Sequence, residues 1–229
     1  MTDTIDICNV SQTEENYKTE ENYKLDVQQN WRALQYIENQ TDEICKLAVQ
    51  QNGLALQYVK NQTEEICKLA VQQNSYALDF VINQTEEICE LAVQQNGLVI
   101  GLVENQTDKL CKIAVNQNGL ALQYLFEQTE EICELAVQQN GLALQYVSLS
   151  DETYYIDIYD EILGLFVKEY VIKQTENMCK FAVNQNGLAL FFVINQTEEI
   201  CDIALQQNID ALQYIKINYD LYNCNYVLK

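Results

Sequence analysis

A chain of 229 residues with 48% apolar side chains can bury a substantial core, which excludes disorder for most of its length. Its formal charge of -21, from 34 acidic against 13 basic side chains, excludes nucleic-acid phosphates and anionic lipid as partners, since both need a positive surface. The chain has no histidine, the commonest general base and metal ligand, and no proline, the strongest helix breaker.

Taken in chain order, residues 1–18 form an acidic arm or cap that carries the first copy of a small duplication, TEENYK from Thr13 and again from Thr19. A unit of 22 residues then recurs. Its text at Thr63 is TEEICKLAVQQNSYALDFVINQ, and it returns at Thr41, Thr85, Thr107, Thr129, Thr175 and Thr197, more loosely at Thr19. Such periodicity is the mark of a stacked repeat protein. Cys45, Cys67, Cys89, Cys111 and Cys133 stand 22 apart, as do Cys179 and Cys201, whereas Cys133 and Cys179 stand 46 apart. That gap predicts one degenerate unit over 151–174, with Tyr155 on the cysteine rung, and nine copies over residues 19–218. Residues 219–229 then form a partial unit or cap.

Each unit is predicted to be a pair of short α-helices. Thr63 is a good N-cap, Glu64 and Glu65 place negative charge where the helix dipole favours it, and the Asn-Gly pair at Asn96 and Gly97 is ordinary helix-stop chemistry. Ile66, Cys67, Leu69, Ala70 and Val71 cover an arc of about 200°, wide enough for a helix with neighbours on both sides. Leu54 to Lys60 behaves in the same way, with Gln57 and Lys60 facing out. Helices this short are marginal alone, so each unit must lean on its neighbours. The expected fold is an all-α, elongated αα solenoid of about nine helix-turn-helix repeats. A leucine-rich-repeat-like α/β solenoid is the alternative, because Leu54, Leu56 and Tyr58 also alternate as in a strand.

The string NGLALQYVKNQTEEICKLAVQQ resembles the short tandem repeats of unknown function found in proteins of giant amoeba-infecting viruses of the mimivirus kind and in some bacteria. The resemblance covers residues 19 to 218 and implies a viral protein in host cytoplasm, without an assigned activity. The departures are 151–174 and both terminal segments.

Little in the chain points to a reaction centre. The cysteine ladder is expected to be small buried side chains, because equivalent residues one helix spacing apart, about 8 to 10 Å, cannot converge on zinc or form disulfides. Cys8 and Cys224 lie outside the ladder and are the more reactive candidates. The acidic pairs, such as Glu64-Glu65 and Glu130-Glu131, are expected to line one exposed edge as helix N-terminal charge. Asn9, Asn39, Asn61, Asn83, Asn105 and Asn195 head N-x-S/T triplets, which matter only in a secreted chain. The start of the chain lacks the basic and apolar parts of a secretory signal, and no apolar run is long enough to span a membrane, so a cytoplasmic location is expected.

Two outward positions of the second helix vary more between units than the core rungs do and would choose a partner. Gln57, Asp79, Gln123, Gln145 and Phe191 occupy the first, and Lys60, Ile82, Phe126 and Ile194 the second. These nine are the candidate partner-binding residues. The expectation is a nonenzymatic scaffold for another protein, a basic one being the electrostatic match, with no cofactor, metal, nucleic acid or membrane. An acidic decoy that imitates nucleic-acid charge is the alternative. An enzyme would have to hide its site near Asp157, Asp160 and Glu161.

Overall fold

The computed structural model describes residues 19–147, 156–160, 165–169 and 174–216. Among them the chain forms eight units, beginning at Thr19, Thr41, Thr63, Thr85, Thr107, Thr129, Thr175 and Thr197 and numbered 1 to 8 below. Each consists of a ten-residue α-helix, a single asparagine, a six-residue 3-10 helix and a short extended exit. In unit 3 these are Glu64–Gln73, Asn74, Ser75–Phe80 and the stretch 81–84. The units stack side by side into an all-α solenoid, α-helix against α-helix and 3-10 helix against 3-10 helix.

The local chemistry explains the unit. The Thr63 hydroxyl accepts the Ile66 N–H (3.4 Å), satisfying a donor that the first turn leaves free. Asn74 then does two jobs from an extended conformation, with φ at -153°. Its N–H donates to the Ala70 carbonyl, closing the α-helix, and its side-chain oxygen accepts the Tyr76 N–H (3.0 Å), opening the 3-10 helix. This corrects two expectations. The α-helix does not stop on a left-handed glycine, and the second helix is a 3-10 helix, Gly53–Tyr58 in unit 2, that ends before Lys60. Three residues per turn put Gly53 and Leu56 on one inward column and Leu54 and Gln57 on an outward one. No unit contains a strand, so the leucine-rich alternative falls.

The core is a column repeated along the stack. Ile66, Cys67, Ala70 and Val71 from the α-helix meet Ala77, Leu78 and Val81 from the 3-10 segment, and all seven are buried. The glycine that opens most 3-10 helices is there for close approach. A Cβ on Gly119 would run into the Ala136 carbonyl of the next unit, and one on Gly141 would stand 2.8 Å from the Ala182 carbonyl.

The degenerate ninth unit is also corrected. Residues 156–160 and 165–169 form an antiparallel hairpin, β1 Ile156–Asp160 and β2 Leu165–Glu169, with Ile158 opposite Val167. Meanwhile units 6 and 7 stack directly on one another. Gln185 accepts the Gly141 N–H (2.7 Å), and Gln174 donates to the carbonyls of Leu144 (3.5 Å) and Phe192 (3.0 Å). Those are the bonds that neighbouring units make elsewhere, so Gln174 closes unit 6 in the role that position 150 would have had. The 46-residue cysteine gap is therefore one ordinary 22-residue step plus a 24-residue insertion, whose length mimics a repeat by coincidence. The stack is not interrupted there. The expected arm at 1–18, the tail at 219–229 and Tyr155 lie outside the described residues.

Candidate functional site

Two glutamines per unit, neither singled out by the sequence, tie the stack together. The first closes the connection between units. Gln62 donates to the carbonyls of Leu56 (3.5 Å) in its own unit and Phe80 (2.7 Å) in the next, and accepts the Ile82 N–H (3.0 Å). Gln40, Gln84, Gln106, Gln174 and Gln196 repeat the pattern. The second sits at the end of each α-helix. Gln117 accepts the Gly97 N–H (2.7 Å) and reaches back to the Gln95 carbonyl (3.5 Å). Part-buried peptide groups that a short helix leaves without partners are thus satisfied by side chains of the neighbouring unit.

The first ladder has a functional consequence. At six junctions it grips the backbone N–H of one position: Lys60, Ile82, Glu104, Phe126, Ile194 and Lys216, at 2.8 to 3.1 Å. This row of residues is held identically unit after unit, while its side chains are exposed and differ in kind. Ile82 is 67% exposed, Phe126 71% and Ile194 39%.

All nine sequence-predicted residues are exposed, but they divide by what they touch. Gln57, Gln123 and Gln145 turn back onto the carbonyls of Leu54, Leu120 and Leu142 (2.9, 3.0 and 3.0 Å), closing their own 3-10 turns. The Lys60 ammonium donates to the carbonyls of Ile37 (3.2 Å) and Glu38 (3.0 Å), which staples unit 2 to unit 1. Phe191 packs edge-on against Phe192 and Tyr214, with ring centres 5.1 and 5.2 Å away. Among the described residues, Asp79, Ile82, Phe126 and Ile194 make no such side-chain hydrogen bond or ring contact. They sit in units 3, 5 and 7, with Asp79 and Ile82 sharing unit 3, and converge on no single pocket. Ile82 does border a groove of about 410 Å³ lined also by Lys60, Asn61, Gln62, Glu64 and Asn83. The sequence reading also passed over the neighbouring aromatic position. Its signal is the recurrence of Tyr58, Phe80, Tyr124, Tyr146, Phe192 and Tyr214 at one place in the unit. The Tyr124 ring lies over Gly101 of the preceding unit.

The opposite, α-helical face is acidic, with lysines pairing across most of its junctions. Lys46 pairs with Glu65 (2.7 Å), Lys68 with Glu87 (2.9 Å), Lys112 with Glu131 (2.9 Å) and Lys180 with Glu199 (2.8 Å), each across a junction. Between units 4 and 5 the signs are exchanged, and Lys109 reaches Glu90 at 2.6 Å. Between units 6 and 7 the equivalent positions hold Glu134 and Asn177, so two like charges never meet. The expected exposed acidic edge is therefore threaded with lysines, whose ammonium pKa values these carboxylates raise.

The laddered cysteines are buried free thiols. Desolvation, aided by the adjacent acidic side chains, pushes Cys45, Cys179 and Cys201 up to about 11, which disfavours the nucleophilic thiolate. Most of these thiols point at a ladder glutamine, as Cys67 does at the Gln62 oxygen (3.6 Å). Among the described residues no group of three metal-ligating side chains converges, and no helix is long and apolar enough to cross a membrane. Cys8, Cys224 and Glu161 lie outside the described residues, and of Asp157 and Asp160 only the backbone is described. Asn39, Asn61, Asn83, Asn105 and Asn195 all precede an N-capping threonine.

Comparison with known proteins adds a family match over part of the chain. The model of a domain of unknown function, DUF4116, matches residues 41–84 and 108–151. Each match spans two consecutive 22-residue units, which identifies tandem repeats of unknown function independently of the structure. No curated protein and no solved structure matches the chain.

Proposed function

We propose that the chain is a nonenzymatic scaffold that binds another protein along the exposed row of Ile82, Glu104, Phe126 and Ile194. One observation carries this reading. The backbone of the row is pinned by the same glutamine bond at successive units, so position is held constant while side-chain character changes. A row whose side chains vary while the stack holds its backbone in one place is suited to being read by something outside it. The resemblance to repeats of giant amoeba-infecting viruses supports a viral protein acting in host cytoplasm.

The ion pairs weigh against the acidic decoy. A nucleic-acid mimic needs an open array of carboxylates, whereas Glu65, Glu87, Glu131 and Glu199 are each held by a lysine of the preceding unit. The test is capture of partners on the tagged chain at low and high salt, beside a variant carrying Ile82→Ser, Phe126→Ser and Ile194→Ser. The scaffold reading expects a partner retained at high salt and lost from the variant. The variant's unfolding free energy should change by only about 0.5 kcal/mol per site, as for exposed positions generally. A basic partner released by salt and indifferent to the three substitutions would overturn the scaffold in favour of the decoy, because screening weakens a charge-driven contact.

A further inference from the structure

We propose that Ile82, Glu104 and Phe126, in units 3 to 5, read a segment of another protein in the polyproline II conformation that presents apolar, basic and apolar side chains at every third residue. This rests on the scaffold reading and assigns its partner's chemistry. The three side chains occupy one position in three successive units, and Gln62, Gln84 and Gln106 grip their backbones at 3.0, 2.9 and 3.0 Å. Neighbouring units are separated by one helix packing distance, about 8 to 10 Å. A chain in the polyproline II conformation has three residues per turn and advances about 3.1 Å per residue, so its residues three apart share one face and stand about 9 Å apart, which meets contacts one unit apart.

Charge and polarity choose the side chains. Ile82 is 67% exposed and Phe126 71%, more than any other large apolar residue of the described units except Tyr36. Glu104 lies between them, exposed, and among the described residues no lysine or arginine pairs with it. It thus differs from the lysine-bound carboxylates of the opposite face. Tyr124, whose ring covers Gly101 of the same unit as Glu104, supplies an aromatic surface suited to the stem or face of a lysine or arginine. Glu127 follows Phe126 and is also exposed, which adds to the negative potential that attracts a basic segment.

A second copy of the chain fits less well. Antiparallel pairing of two rows about Ile82 would set Lys60 of one copy against Glu104 of the other, yet the Lys60 ammonium is already engaged by the Ile37 and Glu38 carbonyls. The unit 7 and 8 end of the row offers no equivalent triplet, because Lys216 is likewise engaged by the Val193 carbonyl at 2.9 Å.

The experiment is selection of a displayed library of random peptides on the full chain, followed by affinity measurement of the winning peptides as free synthetic probes. The expected winners share an apolar residue, two variable positions, an arginine or lysine, two variable positions and a second apolar residue. Their affinity should fall by about tenfold or more on Glu104→Lys, and equally on the pair Ile82→Ser and Phe126→Ser. Exchanging the peptide's basic residue for glutamate should restore binding to Glu104→Lys. Gln123→Ala, which alters only a self-bonded side chain, should leave affinity unchanged. Circular dichroism and melting of each variant separate lost binding from lost folding. Winners without the basic residue at that spacing, or indifferent to Glu104→Lys, overturn this assignment and leave the scaffold reading standing. A selection that enriches no peptide sensitive to any row position overturns both.

Discussion

The two faces of the stack follow different rules. On the α-helical face each side chain answers to one in the next unit: where lysine becomes Glu90, the facing glutamate becomes Lys109, and where it becomes Glu134 the facing residue is Asn177. On the 3-10 face Ile82, Glu104 and Phe126 show no such reciprocity, since a glutamine holds each backbone whatever the side chain. Variation that is compensated within the chain is structural, and variation that is not compensated is free to be read by a partner. The contrast separates the two kinds of surface even though both are exposed.

The sharpest way to break that contrast is to remove the glutamine that makes the row indifferent to its side chains. Gln106→Leu keeps the size of the residue and removes three bonds of 3.0 Å each, leaving the Tyr124 carbonyl and the Phe126 N–H without that partner while the Ile100 carbonyl keeps the Val103 N–H (3.0 Å). A buried polar group left unpaired costs roughly 1–3 kcal/mol, and this site is only part-buried. A loss of about 2–4 kcal/mol in urea-induced unfolding is therefore expected for the variant. A loss below about 1 kcal/mol would mean that the row is positioned by core packing instead.

A smaller effect is expected from the close approach of units. Gly119→Ala drives a methyl group toward the Ala136 carbonyl and disturbs the bond between the Gly119 N–H and Gln139 (2.6 Å). Overpacking of this kind costs about 1–3 kcal/mol. The molecule already contains the comparison. Ser75 takes the glycine position in unit 3, and there Gln95 reaches only the Gln72 carbonyl (3.2 Å), without a bond to the Ser75 N–H. Ser75→Gly should accordingly raise the unfolding midpoint slightly while Gly119→Ala lowers it. Reversal of both signs, with Ser75→Gly lowering the midpoint and Gly119→Ala raising it, would show that the glycine's own conformational entropy outweighs the junction.

The period, the threonine caps, the buried cysteine column and the outward positions were all legible in the sequence, because each depends on spacing and on the preferences of single residues. The 3-10 geometry of Gly53–Tyr58 was not, since six residues satisfy the apolar pattern of either helix, and what decides is Asn52 capping Leu54 two residues on. The glutamine ladders were hidden for a related reason. Gln62 reads as a polar linker residue until the next unit brings the Phe80 carbonyl and Ile82 N–H to it. The hairpin insertion was concealed by arithmetic, because its 24 residues nearly equal one repeat. At the candidate site, spacing found the row but could not tell Lys60 and Gln57, which are spent on neighbouring carbonyls, from Ile82 and Phe126, which are not.

The smallest expected effect is also the most specific. Lys109→Glu sets a second carboxylate against Glu90 and Glu86, replacing contacts of 2.6 and 3.8 Å by like-charge repulsion. Both partners are exposed enough for solvent to screen them, so the melting temperature should fall only slightly, and less so as salt is raised. Adding Glu90→Lys should recover most of the loss, because it recreates the arrangement of Lys68 with Glu87 one junction earlier. A corresponding exchange on the other face, Lys60→Glu with Glu104→Lys, should show no such coupling, since those two side chains do not answer to each other. If the α-face pair proved additive, the sign exchange between units 4 and 5 would be chance, and the rule that distinguishes compensated from free variation would have to rest on the glutamine-held row alone.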